Sequence, residues 1–140
     1  MSVKRIVVGT DGSDNSFAAL RWAIDEALVR DAAVEVVYSW EFPPIIDPLG
    51  VSILPSADEM NASADRLLKE VMRKFDQKNA KVTARVVRGA PASALLGAAK
   101  EADLLVIGRR GHGGFVGLLL GSVAQQVVHH APCPVVLVPA

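Results

Sequence analysis

The sequence predicts a doubly wound α/β protein: a single-domain five-stranded parallel sheet, strand order 3-2-1-4-5, with helices on both faces. Three observations carry that prediction. Short β-branched runs alternate with helical periodicities along all 140 residues, in the order β-α-β-α-β-α-β-α-β. Two of the runs, RIVVG at 5–9 and DLLVIG at 103–108, are almost uninterruptedly apolar, as strands covered on both faces must be. Right-handed crossovers leave few ways to arrange five such strands, and the order 3-2-1-4-5 sets these two side by side at the centre.

Each element follows from local pattern. RIVVG ends on a glycine and a TDGS turn. From Ser13 onward, Phe17, Leu20, Ile24, Ala27 and Leu28 recur at helical spacing, with Ser13 or Asp14 placed to cap the first helix. VEVVYSW at 34–40 is the second strand. The connection after it, EFPPIIDPLGVSILPS at 41–56, holds four prolines and six bulky aliphatics without a clear period. Loops this long are uncommon in compact domains and often functional. This one reads either as a lid or partner surface, or as a strap covering a helix.

Ser56 to Lys78 carries Met60, Ala64, Leu67, Leu68, Val71 and Phe75, the one-sided stripe of a long amphipathic helix. VTARVV at 82–87 alternates, which suits a strand nearer an edge. Pro91 opens a helix that runs to about Ala98. Ser122–His130 supplies the fourth helix, with His129 and His130 in the last turn, where a protonated imidazole suits the dipole. CPVVLVP closes the chain with a fifth strand between prolines.

Composition removes several function classes. Lysine plus arginine and aspartate plus glutamate number 15 each, so there is no positive field to draw in nucleic acid. Aromatic residues make up 5% of the chain, too few for a platform that stacks single strands. The one cysteine, Cys133, cannot form an internal disulfide and is expected as a small buried hydrophobe. No apolar run approaches a membrane span, and MSVKRIVVGTDG is too briefly apolar for a signal peptide. A cytoplasmic protein is expected.

The densest feature is GRRGHGGFVGLLLGS at 108–122, with six glycines among positions 108–121. Glycine costs conformational entropy wherever the chain is ordered, so this density calls for close packing, positive φ angles or backbone held against a ligand. In a doubly wound sheet the crevice opens where neighbouring strands connect in opposite directions, here between strands one and four. GTDGS leaves the first of these and GRRGHGG the second. Residues without Cβ can turn several N–H groups to one point, and the helix beginning at Gly121–Ser122 adds its own, so phosphate is the favoured guest. The segment lacks the lysine followed by serine or threonine of a Walker loop, and its glycines do not open a helix as the dinucleotide fingerprint does.

Gly108-x-x-Gly111, nine residues, then Gly121-Ser122 resembles the nucleotide-binding pattern of the universal stress protein family. VVGTDGS, RGAP after the third strand and the terminal APCPVVLVP fall in register with it, so the resemblance covers the whole chain. The resemblance implies an α/β sandwich that binds ATP, other adenine nucleotides such as cyclic AMP in some members, and often a homodimer through the last strand, residues 134–138. It also implies roles in stress survival, dormancy or growth control, with protein partners that read the nucleotide state. By position, Asp11 falls near the adenosine with the backbone of Gly9 and Thr10 beside it, and the backbone of Ser39 faces adenine. Gly108, Gly111, Gly121, Ser122 and Val123 match phosphate and ribose contacts. Ala124 stands where a hydroxyl residue is common.

Beside these, Arg109 and Arg110 are candidate charge-assisted phosphate ligands, with Arg110 preferred, and His112, Gly113 and Gly114 border the nest. Asp11 has an alternative role as an Asx-turn residue. Phe115, Val116 and Leu118 to Leu120 form either a partner patch or packing over the sheet edge. No residue set has the spacing of a catalytic triad or a metal cluster, so no catalytic or metal-ligating residue is assigned. Magnesium would arrive with the nucleotide, held by phosphates and water. Three functions follow: an ATP-dependent sensor or regulator, a slow ATPase or phosphotransferase in the same pocket, and a dimeric interaction module that uses no nucleotide.

Overall fold

The computed structural model describes residues 2–42, 54–110 and 120–139. The 41–56 connection beyond Phe42 and before Leu54, and the glycine-rich positions Gly111 to Leu119, lie outside the described residues. Among the described residues nine elements run in the order β1 (Arg5–Gly9), α1 (Asp14–Arg30), β2 (Ala33–Trp40), α2 (Ala57–Lys74), β3 (Lys81–Arg88), α3 (Pro91–Ala99), β4 (Leu104–Gly108), α4 (Ser122–His130) and β5 (Val135–Val138). The strands form one parallel sheet in the order β3-β2-β1-β4-β5, as the sequence predicts. Val8 stands opposite Val36 on one side and Val106 on the other, so the centre of the sheet is aliphatic in every direction.

Strand alternation sends each face of the sheet into its own core. Ile6, Val8, Val34, Val36, Leu104 and Val106 meet α1 and α2, while Val7, Val37, Leu105 and Ile107 meet α3 and α4. Toward the sheet α1 presents Ser16, Ala19, Leu20, Ala23, Ile24 and Ala27. Its alanines let the helix approach closely, and Ser13 is the N-cap, its Oγ accepting from Ser16 N at 3.3 Å.

Several expectations need correction. Leu28 is not in the core; it is 42% exposed, because it sits in the last turn of α1, beside Arg30 and outside the buried row. The helix expected over 56–78 has Ser56 as its cap and stops at Lys74. Phe75 leaves in extended conformation and buries its ring, then Lys78 takes a left-handed φ of 50° with its N–H donating to Asp76 Oδ1 at 2.8 Å. That turn sends the chain into β3. Leu67 is 37% exposed, since it reaches over the β1–α1 turn at Gly12 and not into the sheet. Asp103 precedes β4 and ties it to β1: its carboxylate accepts from the backbone of Lys4 and Arg5 at 2.8 and 3.0 Å, and its own N–H donates to Arg5 O. Cys133 is half-buried and lies before β5, against the α3–α4 core.

Candidate functional site

The C-terminal ends of β1, β2 and β4 converge on a cavity of about 580 Å³. That is the crevice of an open α/β sheet at its switch point, where β1 connects toward β2 and β4 toward β5. Its volume lies in the range of small-molecule sites.

The first wall comes from the turn after β1. Thr10 N donates to Val37 O at 3.0 Å, extending the ladder by one rung and burying the threonine. Its hydroxyl lies 3.0 Å from Ser16 Oγ and accepts from Gly12 N at 3.2 Å, while Ser16 Oγ donates to Ser13 O. Gly12 has a φ of 81°, the left-handed conformation in which glycine is free of strain. Asp11 Oδ1 accepts from Ser13 N at 2.9 Å in an Asx turn, and Asp11 also lines the cavity. The turn is locked from inside by hydroxyls, leaving its outer surface to the cavity.

The second wall is apolar. Val37 and Ile107 project from the α3 side of the sheet, Leu95 comes from α3, and Leu120 and Val123 flank the start of α4. Pro91 and Ser39 complete the rim, Ser39 being near the end of β2 as expected.

The third wall follows β4. Arg109 N donates to Val138 O at 2.9 Å, and Arg109 O accepts from Gly121 N at 3.0 Å, so the two ends of the glycine-rich segment are bonded to each other. Gly121 is the N-cap of α4 and carries no side chain to satisfy the first turn, which leaves N–H groups of Ser122 and Val123 without intrahelical acceptors. Arg109 and Arg110 both line the cavity, and Arg109 Nε is a buried donor with no partner among the described residues. Buried donors without acceptors are uncommon, and one in a cavity beside a helix N-terminus suits an anionic guest.

Gly9, Thr10, Asp11, Ser39, Gly108, Arg109, Arg110, Gly121, Ser122 and Val123 are thus brought to one cavity. Gly111, His112, Gly113 and Gly114 lie outside the described residues. Ala124 is buried in the α3–α4 core and also lines the cavity. Sequence reasoning did not find Tyr38, Leu95, Ser13, Ser16 or Gln125. For Val37 and Ile107 a signal existed, since both share strand parity with Gly9; for Leu95 there was none, because it depends on how α3 crosses the sheet.

These features define a class: a doubly wound α/β protein with a ligand cavity at the switch point, its walls divided between aliphatic side chains and a cationic, amide-rich helix start. The chain belongs to the universal stress protein family, whose family model matches residues 2–139. It is 38% identical over 138 residues to a universal stress protein of Thermus aquaticus, covering 96% of this chain and 98% of that one. A relative in Methanocaldococcus jannaschii is 35% identical over 96% of this chain and 81% of its own length. One in Mycolicibacterium smegmatis is 37% identical over 95% of this chain, which spans only 45% of that longer protein. Among solved structures, the universal stress protein UspA from Lactobacillus plantarum superposes with a TM-score of 0.81 at 25% identity, over 99% of both chains. A universal stress protein in complex with cAMP superposes with a TM-score of 0.73 at 30% identity, over 99% of this chain and 98% of that one.

Proposed function

We propose that this protein is a cytoplasmic, single-domain nucleotide sensor that binds ATP in the β1/β4 cavity and acts as a regulator of stress response or growth. The observation that carries the reading is the division of one cavity between aliphatic walls, suited to a base, and the Arg109, Arg110 and α4 N-terminal wall, suited to phosphates. The similar structure in complex with cAMP supports an adenine nucleotide as the guest. In this reading Ser39 and Val37 border the base, Asp11 the ribose, and Gly121, Ser122 and Val123 the phosphates, with magnesium carried in on the phosphates. Regulation requires that nucleotide bind one conformation or assembly more tightly than another. The assembly proposed is a homodimer joined along β5, an edge strand whose outer rim would otherwise stay unpaired.

Heat-denaturing purified protein and resolving the supernatant by anion exchange tests the reading. ATP that co-purifies supports the sensor; ADP accumulating on incubation supports an ATPase in the same cavity. Absence of any nucleotide, with no heat on titrating ATP in a calorimeter, supports the nucleotide-independent module. Sedimentation showing only monomer at micromolar concentration would remove the β5 dimer.

A further inference from the structure

We infer that Asn15 is a positioning residue of the phosphate side of the cavity, and that the first glycine of the motif, Gly108, lacks a side chain in order to accommodate it. Asn15 is the second residue of α1 and does not line the cavity. Its Nδ2 nevertheless donates across 95 residues of sequence to Arg110 O at 2.5 Å. This bond joins the start of α1, on the β1 side of the crevice, to the chain leaving β4 on the other side.

Two further observations point the same way. A Cβ on Gly108 would lie 3.1 Å from Asn15 O and 3.2 Å from both Asn15 C and Asn15 Cβ. Gly108 therefore lets the end of β4 lie directly on the backbone that carries Asn15, which is what brings Arg110 O within reach of its amide. Asn15 Oδ1 is meanwhile a buried acceptor with no partner among the described residues. Turning the amide over would set Oδ1 against Arg110 O, acceptor against acceptor, so the donor has to be the group that meets Arg110. The orientation keeps the bond to Arg110 O while Oδ1 has no partner among the described residues.

The consequence is mechanical. Arg109 is already fixed through Val138 O and Gly121 N. Asn15 adds the next residue, so Arg109 and Arg110 enter the cavity from a backbone held at three points, to β5, α4 and α1. Donors held in place before a ligand arrives bind it without an ordering cost. The inference rests on the nucleotide reading above and assigns Asn15 to the phosphate part of that ligand, not to its base.

The test compares wild type, Asn15→Ala and Asn15→Leu by calorimetry with ATP and with adenosine. Thermal melting and hydrogen exchange are measured on the nucleotide-free proteins. Asn15→Leu keeps nearly the same side-chain size and removes the donor without adding a charge beside the phosphate site, so a selective loss of ATP affinity cannot come from repulsion by a new carboxylate. Both variants are expected to bind ATP about tenfold more weakly, the loss of one preorganised contact, with adenosine affinity unchanged. Both are also expected to exchange the Arg109 and Gly121 amides faster. Variants that keep wild-type ATP affinity would overturn the inference. So would equal losses for ATP and adenosine together with a lowered melting temperature, the mark of a purely structural residue. A wild type that binds neither ligand would remove the nucleotide reading itself, a separate failure that takes this inference with it.

Discussion

Leu95 occupies the space that a side chain on Gly9 would need: a Cβ built there would stand 2.8 Å from Leu95 Cδ2 and 3.0 Å from Cδ1. Gly9 ends β1 and Leu95 sits mid-α3, so this pairing of absent and present side chain lets the helix lie close to the end of the strand. Both residues line the cavity.

Gly9→Ala is accordingly expected to destabilise by overpacking, about 1–3 kcal/mol, with Leu95 driven toward the cavity. Leu95→Ala alone opens a void and costs about 2–5 kcal/mol. The two together should cost less than their sum, since the new methyl enters space the leucine vacates. Urea denaturation of all four proteins measures the coupling. Strict additivity would show that α3 does not lean on β1 here.

The buried hydroxyl pair Thr10–Ser16 holds the turn between β1 and α1. Thr10→Val keeps the shape but removes both the bond to Ser16 and the acceptor for Gly12 N. A loss of about 1–3 kcal/mol is expected, because Gly12 N is left without its partner. Thr10→Ser, which retains the hydroxyl, should recover most of it. A loss in Thr10→Ser with none in Thr10→Val would instead place the contribution in the methyl group.

Asp103 predicts an acid-sensitive seam between β1 and β4. Hydrogen bonds from the Lys4 and then the Arg5 backbone hold its carboxyl below its ordinary value of 3.8, against a smaller opposing effect of desolvation. A lowered folded pKa means the unfolded chain binds the proton more readily. The stabilisation is therefore full above the ordinary value and is lost as pH falls through the folded one. Asp103→Asn should flatten the fall in stability as pH drops below about 4. Glu70, lowered chiefly by its hydrogen bond to Arg73, stays in both proteins, so the difference isolates Asp103. Identical acid profiles would show that the seam does not contribute.

Cys133 should be a sluggish thiol. Burial first, and the charge of Asp103 second, raise its pKa above the ordinary value of 9.0, so little thiolate exists at neutral pH. Alkylation by iodoacetamide at pH 7 is expected to be slower than for free cysteine, and faster in Asp103→Asn. A rate at or above that of the free amino acid would contradict this placement.

The order of elements, the parallel sheet and the central place of β1 and β4 were legible from the residues alone. A strand buried on both faces must be apolar throughout, and a helix buried on one face must repeat its apolar positions at its own turn. The glycines at 9, 12, 108 and 121 also announced themselves, though not their separate reasons. Only Gly12 needs a positive φ; Gly9 makes room for Leu95 and Gly108 for the backbone of Asn15. Where periodicity misled, as at Leu28, Leu67 and residues 75–78, the pattern continued past the sheet that could bury it.

What the tertiary structure alone decided is which distant groups meet. Asn15 and Arg110 are 95 residues apart, and Asp103 reaches Lys4 across 99. A residue's type and spacing state which face it prefers, because burial and hydrogen bonding along one element are local. Which neighbour fills a missing Cβ, or accepts from a lone amide, depends on the distance and angle at which two elements cross. Those are settled by the packing of the entire sheet and its helices.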